Sequence, residues 1–174
     1  MKDNIEIIVD DERWEKEAPE EVKNSAEIFA VAVNYLRENN ELDFLPDENM
    51  PISINLCLSN DDEVHALNKE FRNMDKPTNV LSFANIDDDN FENELQNSDA
   101  AELGDIIISL DTMQKEAKIE NITFAAHYAH LLVHGILHLC GFDHIEDDEA
   151  EYMEGLEVKI LNLLNIENPY KEEQ

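Results

Sequence analysis

Runs of alternating or clustered apolar residues predict four β-strands along this chain. In ISINLCL, at 52–58, aliphatic residues occupy every second position and would share one face of a sheet. Three further short runs, at 5–9, 80–84 and 103–110, carry Ile, Val or Leu and also predict strands. Because other elements separate these runs, we expect one small sheet whose strands are joined by longer connections.

Apolar residues spaced three and four positions apart predict helices between and after these strands. The predicted helices cover residues 19–37, 61–71, 111–119, 124–140 and 146–166. Gly141 follows the fourth helix and can end it in left-handed geometry. Residues 87–102 are acidic, poor in apolar side chains and free of basic residues, so we expect a flexible loop there. We expect residues 168–174 to form a frayed tail.

These elements predict an α+β fold in a single domain that spans residues 1–174. We expect a small mixed β-sheet of about four strands packed with helices. The helix predicted over 124–140 carries four of the six histidines and would be the central helix of the domain. The order of the strands in the sheet does not follow from the pattern.

The composition restricts the possible environments and partners. The net charge is −30, from 12 basic and 42 acidic residues, which argues against non-specific nucleic-acid binding but permits a local basic site. With two cysteines we expect no disulfide framework, and no N-terminal signal is visible. The most apolar stretch, at 124–142, contains four histidines, which indicates a buried helix and not a membrane span. We therefore expect a cytoplasmic protein with no membrane partner.

The segment HGILHLCGFDH, at 134–144, has the spacing of a metal site. His134 and His138 lie one helical turn apart, so both imidazoles can face one ion. Gly141 permits a reversal of the chain that could bring His144 to the same ion. Three neutral imidazoles and a water are typical of catalytic zinc, although nickel or copper also accept imidazole. We predict one Zn²⁺ per chain, bound by these three histidines.

Other side chains near this segment have less certain roles. His127 shares the histidine stripe but is expected to be buried in the core or to support a ligand from behind. His130 lies closer to the pair and could hydrogen-bond to the metal-bound water or to substrate. Asp143 could orient a ligand imidazole or simply shape the turn, and Cys140 is expected to be a buried thiol.

Gly135 distinguishes this segment from that of the zinc peptidases. In the metzincin pattern H-E-x-x-H-x-x-G-x-x-H, the glutamate accepts a proton from the zinc-bound water. Gly135 occupies that position here and has no proton acceptor on its side chain. Glycine also costs about 1 kcal/mol of helix propensity, which suggests that open space is needed beside His134. A metallopeptidase is therefore disfavoured, although it stays an alternative.

Three segments in the same order resemble the YbeY-type endoribonucleases of bacterial ribosomal RNA maturation. They are LNKEFRNMDKPTNVLSFA at 67–84, LGDIIIS at 103–109, and the histidine segment. Asn79 stands where that family usually has Asp, and Ala84 where it often has Pro. Neither position is a predicted metal ligand, so the resemblance holds while a role for the Asn79 side chain is left open.

The resemblance implies a fold related in layout to the zinc peptidases and a zinc-dependent cleavage of single-stranded RNA. It implies maturation of the 16S rRNA 3′ end and ribosome quality control, with zinc held by His134, His138 and His144. Arg72 is implied to be essential, so Arg72 and His134 are the candidate catalytic residues. Arg72 has a planar fork that suits phosphate, and Lys76 and His130 are further candidate substrate contacts.

Single-stranded rRNA and the ribosome are the partners that this resemblance implies, with ribosomal proteins or assembly GTPases as further candidates. RNA carries its own nucleophile, the 2′-hydroxyl, which would explain how Gly135 is tolerated. A second alternative is a non-catalytic ribosome-assembly factor with a structural metal. The acidic surface would suit it, because acidic faces can bind basic ribosomal proteins.

Overall fold

The computed structural model of the protein describes residues 2–170 and contains a four-stranded mixed sheet. The strands are β1 (Asn4–Val9), β2 (Ile52–Ser59), β3 (Val80–Ala84) and β4 (Ala101–Ser109). Their order is β1-β2-β4-β3; β1, β2 and β4 are parallel, and β3 runs antiparallel to β4. The α+β class, the mixed sheet and all four predicted strands are therefore confirmed, and β3 is an edge strand.

Seven α-helices accompany the sheet in the described residues, and they include the five that the sequence predicts. They are α1 (Arg13–Glu17), α2 (Pro19–Glu38), α3 (Asp61–Arg72), α4 (Phe91–Gln96), α5 (Leu110–Ile119), α6 (Phe124–Leu139) and α7 (Asp147–Leu163). The predicted bounds agree to within about three residues, the largest difference being the end of α7. No helix within residues 2–170 is long and apolar enough to cross a membrane.

The five-residue helix α1 was not predicted, because it is too short to show a helical period. It is held by Trp14, which is completely buried and donates its indole N–H to the Ser59 carbonyl at 2.8 Å. The Trp14 ring lies 5.6 Å from the ring of Tyr128 in α6. This contact attaches the N-terminal segment to the central helix.

The prediction of a loop through residues 87–102 is wrong for much of that segment. A 3₁₀ turn covers Asn85–Asp87, α4 follows, and β4 begins at Ala101. The physical reason is that Phe91 and Leu95 lie one turn apart on α4 and are both 4% exposed. Two buried side chains suffice to order a short acidic helix, although its composition is typical of a loop.

The helix α6 is the centre of the fold and lies against one face of the sheet with α2. Ten of its sixteen residues are buried. The Tyr128 hydroxyl is 2.6 Å from the Ser25 hydroxyl of α2, so a buried hydrogen bond joins the two helices. The opposite face of the sheet is covered by α3, through a small cluster of Val64, Leu81 and Ile107.

The two ends of α6 are defined by short-range interactions. The Thr123 hydroxyl accepts the Ala126 N–H at 3.1 Å and caps the N-terminus. Gly141, with φ of +96°, follows the C-terminus, as predicted, and reverses the chain. That reversal carries His144 back towards the helix that it has just left.

Candidate functional site

A cleft of about 510 Å³ lies between the edge strand β3 and the histidine-bearing face of α6. Residues 79–82 and 84 line one side, and the turn after α6 lines the other. The polar side chains in the lining are Arg72, Asn79, Ser82, Asp87, His130, His134, His138, Asp143, His144 and Tyr170. The cleft therefore combines a cluster of imidazoles with a guanidinium from a distant part of the sequence.

Three histidines converge in this cleft, as the spacing predicts. One nitrogen from each of His134, His138 and His144 lies within 4.8 Å of the other two. The Nε2 atoms of His134 and His138 are 3.0 Å apart. The ring of His144 is 5.5 Å from that of His134 and 5.1 Å from that of His138. The three residues form a group that can bind a metal ion.

Hydrogen bonds behind two of these rings determine which nitrogen carries the proton. His138 Nδ1 is 3.0 Å from the Phe142 carbonyl, which can only accept, so this Nδ1 carries the hydrogen. His134 Nδ1 likewise donates to Glu157 Oε1 at 2.9 Å. In the neutral rings, both Nε2 atoms then present lone pairs to each other at 3.0 Å. A cation between them removes this repulsion.

The donor set fits a single zinc-sized ion. Tetrahedral zinc–nitrogen bonds of about 2.0–2.1 Å would place ligand nitrogens roughly 3.3 Å apart, close to the His134–His138 separation. Burial lowers the pKa of His138, and the neighbouring His134 and His144 lower it further. His138 is therefore held in the neutral form that binds metal.

Glu157 of α7 is a site residue that the sequence analysis missed. Its side chain is completely buried, and it accepts hydrogen bonds from His134 Nδ1 at 2.9 Å and His130 Nε2 at 3.1 Å. Burial alone would raise the pKa of Glu157, but these hydrogen bonds outweigh it and lower the pKa to about 2. The available signal was a charged residue within the apolar stripe of α7, four residues after Met153 and four before Leu161.

Tyr170 closes the side of the cleft next to Glu157. Its hydroxyl donates to Glu157 Oε2 at 2.8 Å and lies 3.1 Å from His130 Nε2. The prediction of a frayed tail over 168–174 is therefore wrong at Tyr170, while residues 171–174 lie outside the described residues. A hydrogen bond to a buried carboxylate orders this position. His130, predicted to face substrate, lines the cleft beside it.

Arg72 reaches the cleft from the last turn of α3. Asn73 ends that helix in left-handed geometry, with φ of 57°. The Arg72 Nη2 donates to the Ser82 carbonyl of β3 at 2.7 Å, and its guanidinium lies 4.9 Å from the centre of the Phe83 ring. Arg72 therefore shares the cleft with the three histidines. Lys76, the other predicted cation, is exposed and does not line the cleft.

His127 and Asn79 meet at a different carboxylate, that of Glu116 in α5. His127 is buried, as expected, and its Nε2 lies 2.9 Å from Glu116 Oε1. The Asn79 amide donates to the same oxygen at 2.8 Å. His127 thus lies outside the three-histidine group, and the Asn79 side chain links β3 to α5. An aspartate at position 79 would place two carboxylates in contact here.

The expectation of open space beside His134 is wrong, because Gly135 faces the sheet. A Cβ at this position would lie 3.1–3.4 Å from three side-chain atoms of Ile106 in β4. Close packing of α6 on the sheet is therefore the reason for glycine here. Asp143 shapes the turn, since its Oδ1 accepts the His144 N–H at 2.7 Å. Cys140 is a buried thiol, as predicted, and burial raises its pKa to about 12.

Comparison with known families gives a match over nearly the whole chain. Residues 8–165 match the model of the family described as Endoribonuclease YbeY. A protein of that name from Sinorhizobium fredii is 42% identical over 168 residues, covering 96% of this chain and 91% of the relative. One from Rhizorhabdus wittichii is 53% identical over 119 residues, covering 67% of this chain and 70% of the relative.

A solved structure has the same fold. The solution structure of TM1509 from Thermotoga maritima superposes with a TM-score of 0.55 and covers 97% of this chain and 100% of its own. The two sequences are 23% identical, so this likeness supports the fold alone.

Proposed function

Because this chain belongs to the endoribonuclease YbeY family, we propose that it is a zinc-dependent endoribonuclease that cleaves single-stranded RNA. We propose that it matures the 3′ end of 16S rRNA and acts in ribosome quality control in the cytoplasm. Its partners would then be single-stranded rRNA and the ribosome, with ribosomal proteins or assembly GTPases as further candidates.

The observation that carries this proposal is the pair of imidazole nitrogens at the floor of the cleft. His134 and His138 hold their Nε2 atoms 3.0 Å apart, with the protons of both rings committed to acceptors behind them. In a histidine pair that binds no metal, one ring would instead donate its Nε2–H to the Nε2 of the other. His144 completes a set of three nitrogens, the number of protein ligands that is typical of catalytic zinc sites.

We propose zinc as the ion, at one per chain held by His134, His138 and His144, because three imidazoles are typical of catalytic zinc sites. When bound, zinc supplies a Lewis acid that polarises a phosphoryl oxygen or lowers the pKa of a bound water to about 7. Glu157 keeps the His134 ring in the correct tautomer and orientation for this role.

Arg72 supplies the phosphate-binding group. It uses one N–H of its guanidinium on the Ser82 carbonyl, which fixes the side chain at the edge of β3 and leaves other N–H groups for substrate. Charge grows on the phosphate oxygens during cleavage, and a fixed cation stabilises that charge. We propose that His130, which lines the cleft, contacts substrate and that Lys76 contacts a more distant phosphate.

The attacking group is proposed to be the 2′-hydroxyl of the RNA. Gly135 carries no proton acceptor and faces Ile106, so position 135 does not supply the general base of the metzincin pattern. The 2′-oxygen would form a bond to phosphorus while the bond to the 5′-oxygen breaks, and the proton would pass from the former to the latter through groups in the cleft. The products would then carry a 2′,3′-cyclic phosphate and a 5′-hydroxyl. Products that end in a 3′-hydroxyl and a 5′-phosphate would exclude this route.

Metal analysis combined with an RNA cleavage assay tests the proposal. We expect about one zinc per chain in the wild type and loss of zinc and of cleavage in His138→Ala. Arg72→Ala should keep its zinc but lose cleavage at least 100-fold, since it removes a charge-stabilising donor. His65→Ala is the control, because His65 does not line the cleft, and it should retain both zinc and cleavage.

Two results would contradict the proposal. Undiminished RNA cleavage in both His138→Ala and Arg72→Ala would show that the activity does not come from this site. Zinc-dependent cleavage of an unfolded protein substrate, without RNA cleavage, would favour a peptidase.

A further inference from the structure

The apolar stripe of α3 continues to an aromatic residue that the fold does not bury. Val64 is completely buried and packs on the outer face of the sheet, with Leu67 partly buried one turn later. Phe71 follows four residues after Leu67 on the same side of the helix, yet it is 56% exposed. An exposed phenylalanine loses the free energy of burial, so its role is not explained by packing.

Phe71 is nevertheless held in place beside the cleft. Its ring packs edge-on against Phe83, with the ring centres 5.5 Å apart and the planes at 74°. The Arg72 guanidinium lies over that same Phe83 ring, 4.9 Å from its centre. Phe71 is therefore separated by a single aromatic ring from a residue that lines the cleft.

The surroundings of Phe71 favour an anionic partner. Lys69, Arg72 and Lys76 place three cations within eight positions of a chain with net charge −30. Within residues 2–170, none of these three forms an ion pair, and the nearby Asp75 pairs instead with His65 at 2.7 Å. Glu70 and Asp75 lie among these cations, so the local excess of positive charge is small, but cations free of direct ion pairs beside an exposed aromatic ring are the combination that binds single-stranded nucleic acid.

We propose that Phe71 is a nucleobase subsite, on which a base flanking the cleaved phosphodiester stacks while Arg72 binds the phosphate. The subsite rests on the proposed function, since it uses the same RNA strand. Stacking accepts any base, because every base has a π-face. It requires an unpaired nucleotide, since the bases of a duplex are already stacked. The subsite would thereby select single strands.

A combination of protein variants and abasic substrates tests this subsite. The substrate is a single-stranded RNA cleaved at one mapped bond, with the base removed in turn from each nucleotide near that bond. We expect Phe71→Ala to lower kcat/KM about tenfold, through KM, with little change in kcat. Removing the base that stacks on Phe71 should lower kcat/KM of the wild type about tenfold as well. Removing the same base should not lower kcat/KM of Phe71→Ala any further.

Leu163→Ala is the matched control, because Leu163 is 57% exposed at the end of α7. It should behave as wild type, and all variants should retain zinc and the wild-type unfolding temperature. Phe71→Trp should keep kcat/KM close to the wild-type value, since indole also stacks on a base. The proposal is overturned if Phe71→Ala matches Leu163→Ala, or if every abasic substrate affects wild type and Phe71→Ala equally.

A binding measurement makes the test independent of cleavage. The chain has a single tryptophan, Trp14, which is completely buried. A 2′-O-methyl RNA oligonucleotide, which cannot be cleaved through its 2′-oxygen, is added to full-length, zinc-loaded Phe71→Trp. A change in tryptophan fluorescence then reports on the introduced indole. We expect quenching by the single strand and not by a duplex of the same sequence. Absence of RNA cleavage in the wild type would contradict the proposed nuclease function, whereas cleavage without quenching would contradict only the subsite.

Discussion

At the scale of single residues, one buried carboxylate joins His134 of the three-histidine group to His130 and Tyr170 in the wall of the cleft. Glu157 accepts hydrogen bonds from His134, His130 and Tyr170. A buried charge is costly unless its hydrogen-bonding capacity is satisfied, and here three donors satisfy it. The geometry of the metal group therefore depends on a residue that would not itself touch the metal.

Replacing Glu157 with glutamine should weaken zinc binding while preserving the fold. Gln can still accept the His134 Nδ1–H, but it lacks the negative charge that strengthens His134 as a ligand. We expect the zinc affinity to fall about 10–100-fold, as measured by competition with a chromophoric chelator. Glu151→Gln, at an exposed position of the same helix, should leave the affinity unchanged.

In protein freed of metal by a chelator, the Glu157→Gln variant should also change how the free energy of unfolding depends on pH. The pKa of Glu157 is lowered to about 2 from its ordinary value of 4.5, so its ionisation stabilises the fold fully above about pH 4.5. This contribution is lost as the pH falls towards 2. The difference in unfolding free energy between wild type and Glu157→Gln should therefore shrink over that range, and a constant difference would contradict the role of the charge.

At the scale of elements, the packing of α6 on β4 decides what the histidine face can present. Gly135 lies against Ile106, which lets the helix approach the sheet closely. The position that carries a glutamate in the metzincin pattern thus points into the core. The general base is therefore missing because position 135 packs against the sheet, and not because an empty space was left beside the three-histidine group.

Two glycine-to-alanine variants separate helix propensity from packing. Gly155→Ala on α7 should stabilise the protein by about 0.5–1 kcal/mol, because a Cβ there has no atom within 4 Å. Gly135→Ala gains the same propensity but crowds Ile106, so we expect it to be about 1–3 kcal/mol less stable than Gly155→Ala. Denaturant unfolding measures both. Equal stabilisation by the two variants would show that close packing is not why position 135 is glycine.

At the scale of the whole molecule, the proposed function requires an acidic protein to bind an acidic substrate. The net charge of −30 repels RNA at long range, so attraction has to come from a small region. Lys69, Arg72 and Lys76 form such a region next to the cleft, on the helix and turn that precede β3. We infer that the protein contacts few phosphates of the RNA and that this cationic region orients the RNA strand at the cleft.

The salt dependence of RNA binding checks this inference. For one to three phosphate contacts, the logarithm of affinity for a single-stranded oligonucleotide should fall with the logarithm of salt concentration, with a slope of about −0.7 to −2. Lys76→Ala should reduce that slope by about 0.7, and Lys159→Ala on α7 should not change it. A slope steeper than about −4 would indicate a broad phosphate-binding surface that the charge distribution does not provide.

The sequence alone determined the features that depend on neighbours along the chain. Strands and helices follow from the spacing of apolar residues, since backbone periodicity is local. The three-histidine group follows from the same periodicity and from Gly141, because all its members lie within 134–144. The role of Arg72 was harder to predict, because only a family resemblance connected a cation at a helix end with a site 62 positions away.

Features that depend on contacts between distant segments could be recognised only once the chain was seen folded. Glu157 meets His134 across the packed faces of α6 and α7, and Tyr170 reaches the cleft from the end of the described chain. The order of α4 depends on where Phe91 and Leu95 are buried, and the direction of Gly135 depends on Ile106. In each case the partner residue is set by packing, which no local pattern specifies. This is why the three-histidine group was predictable while the residues that support it were not.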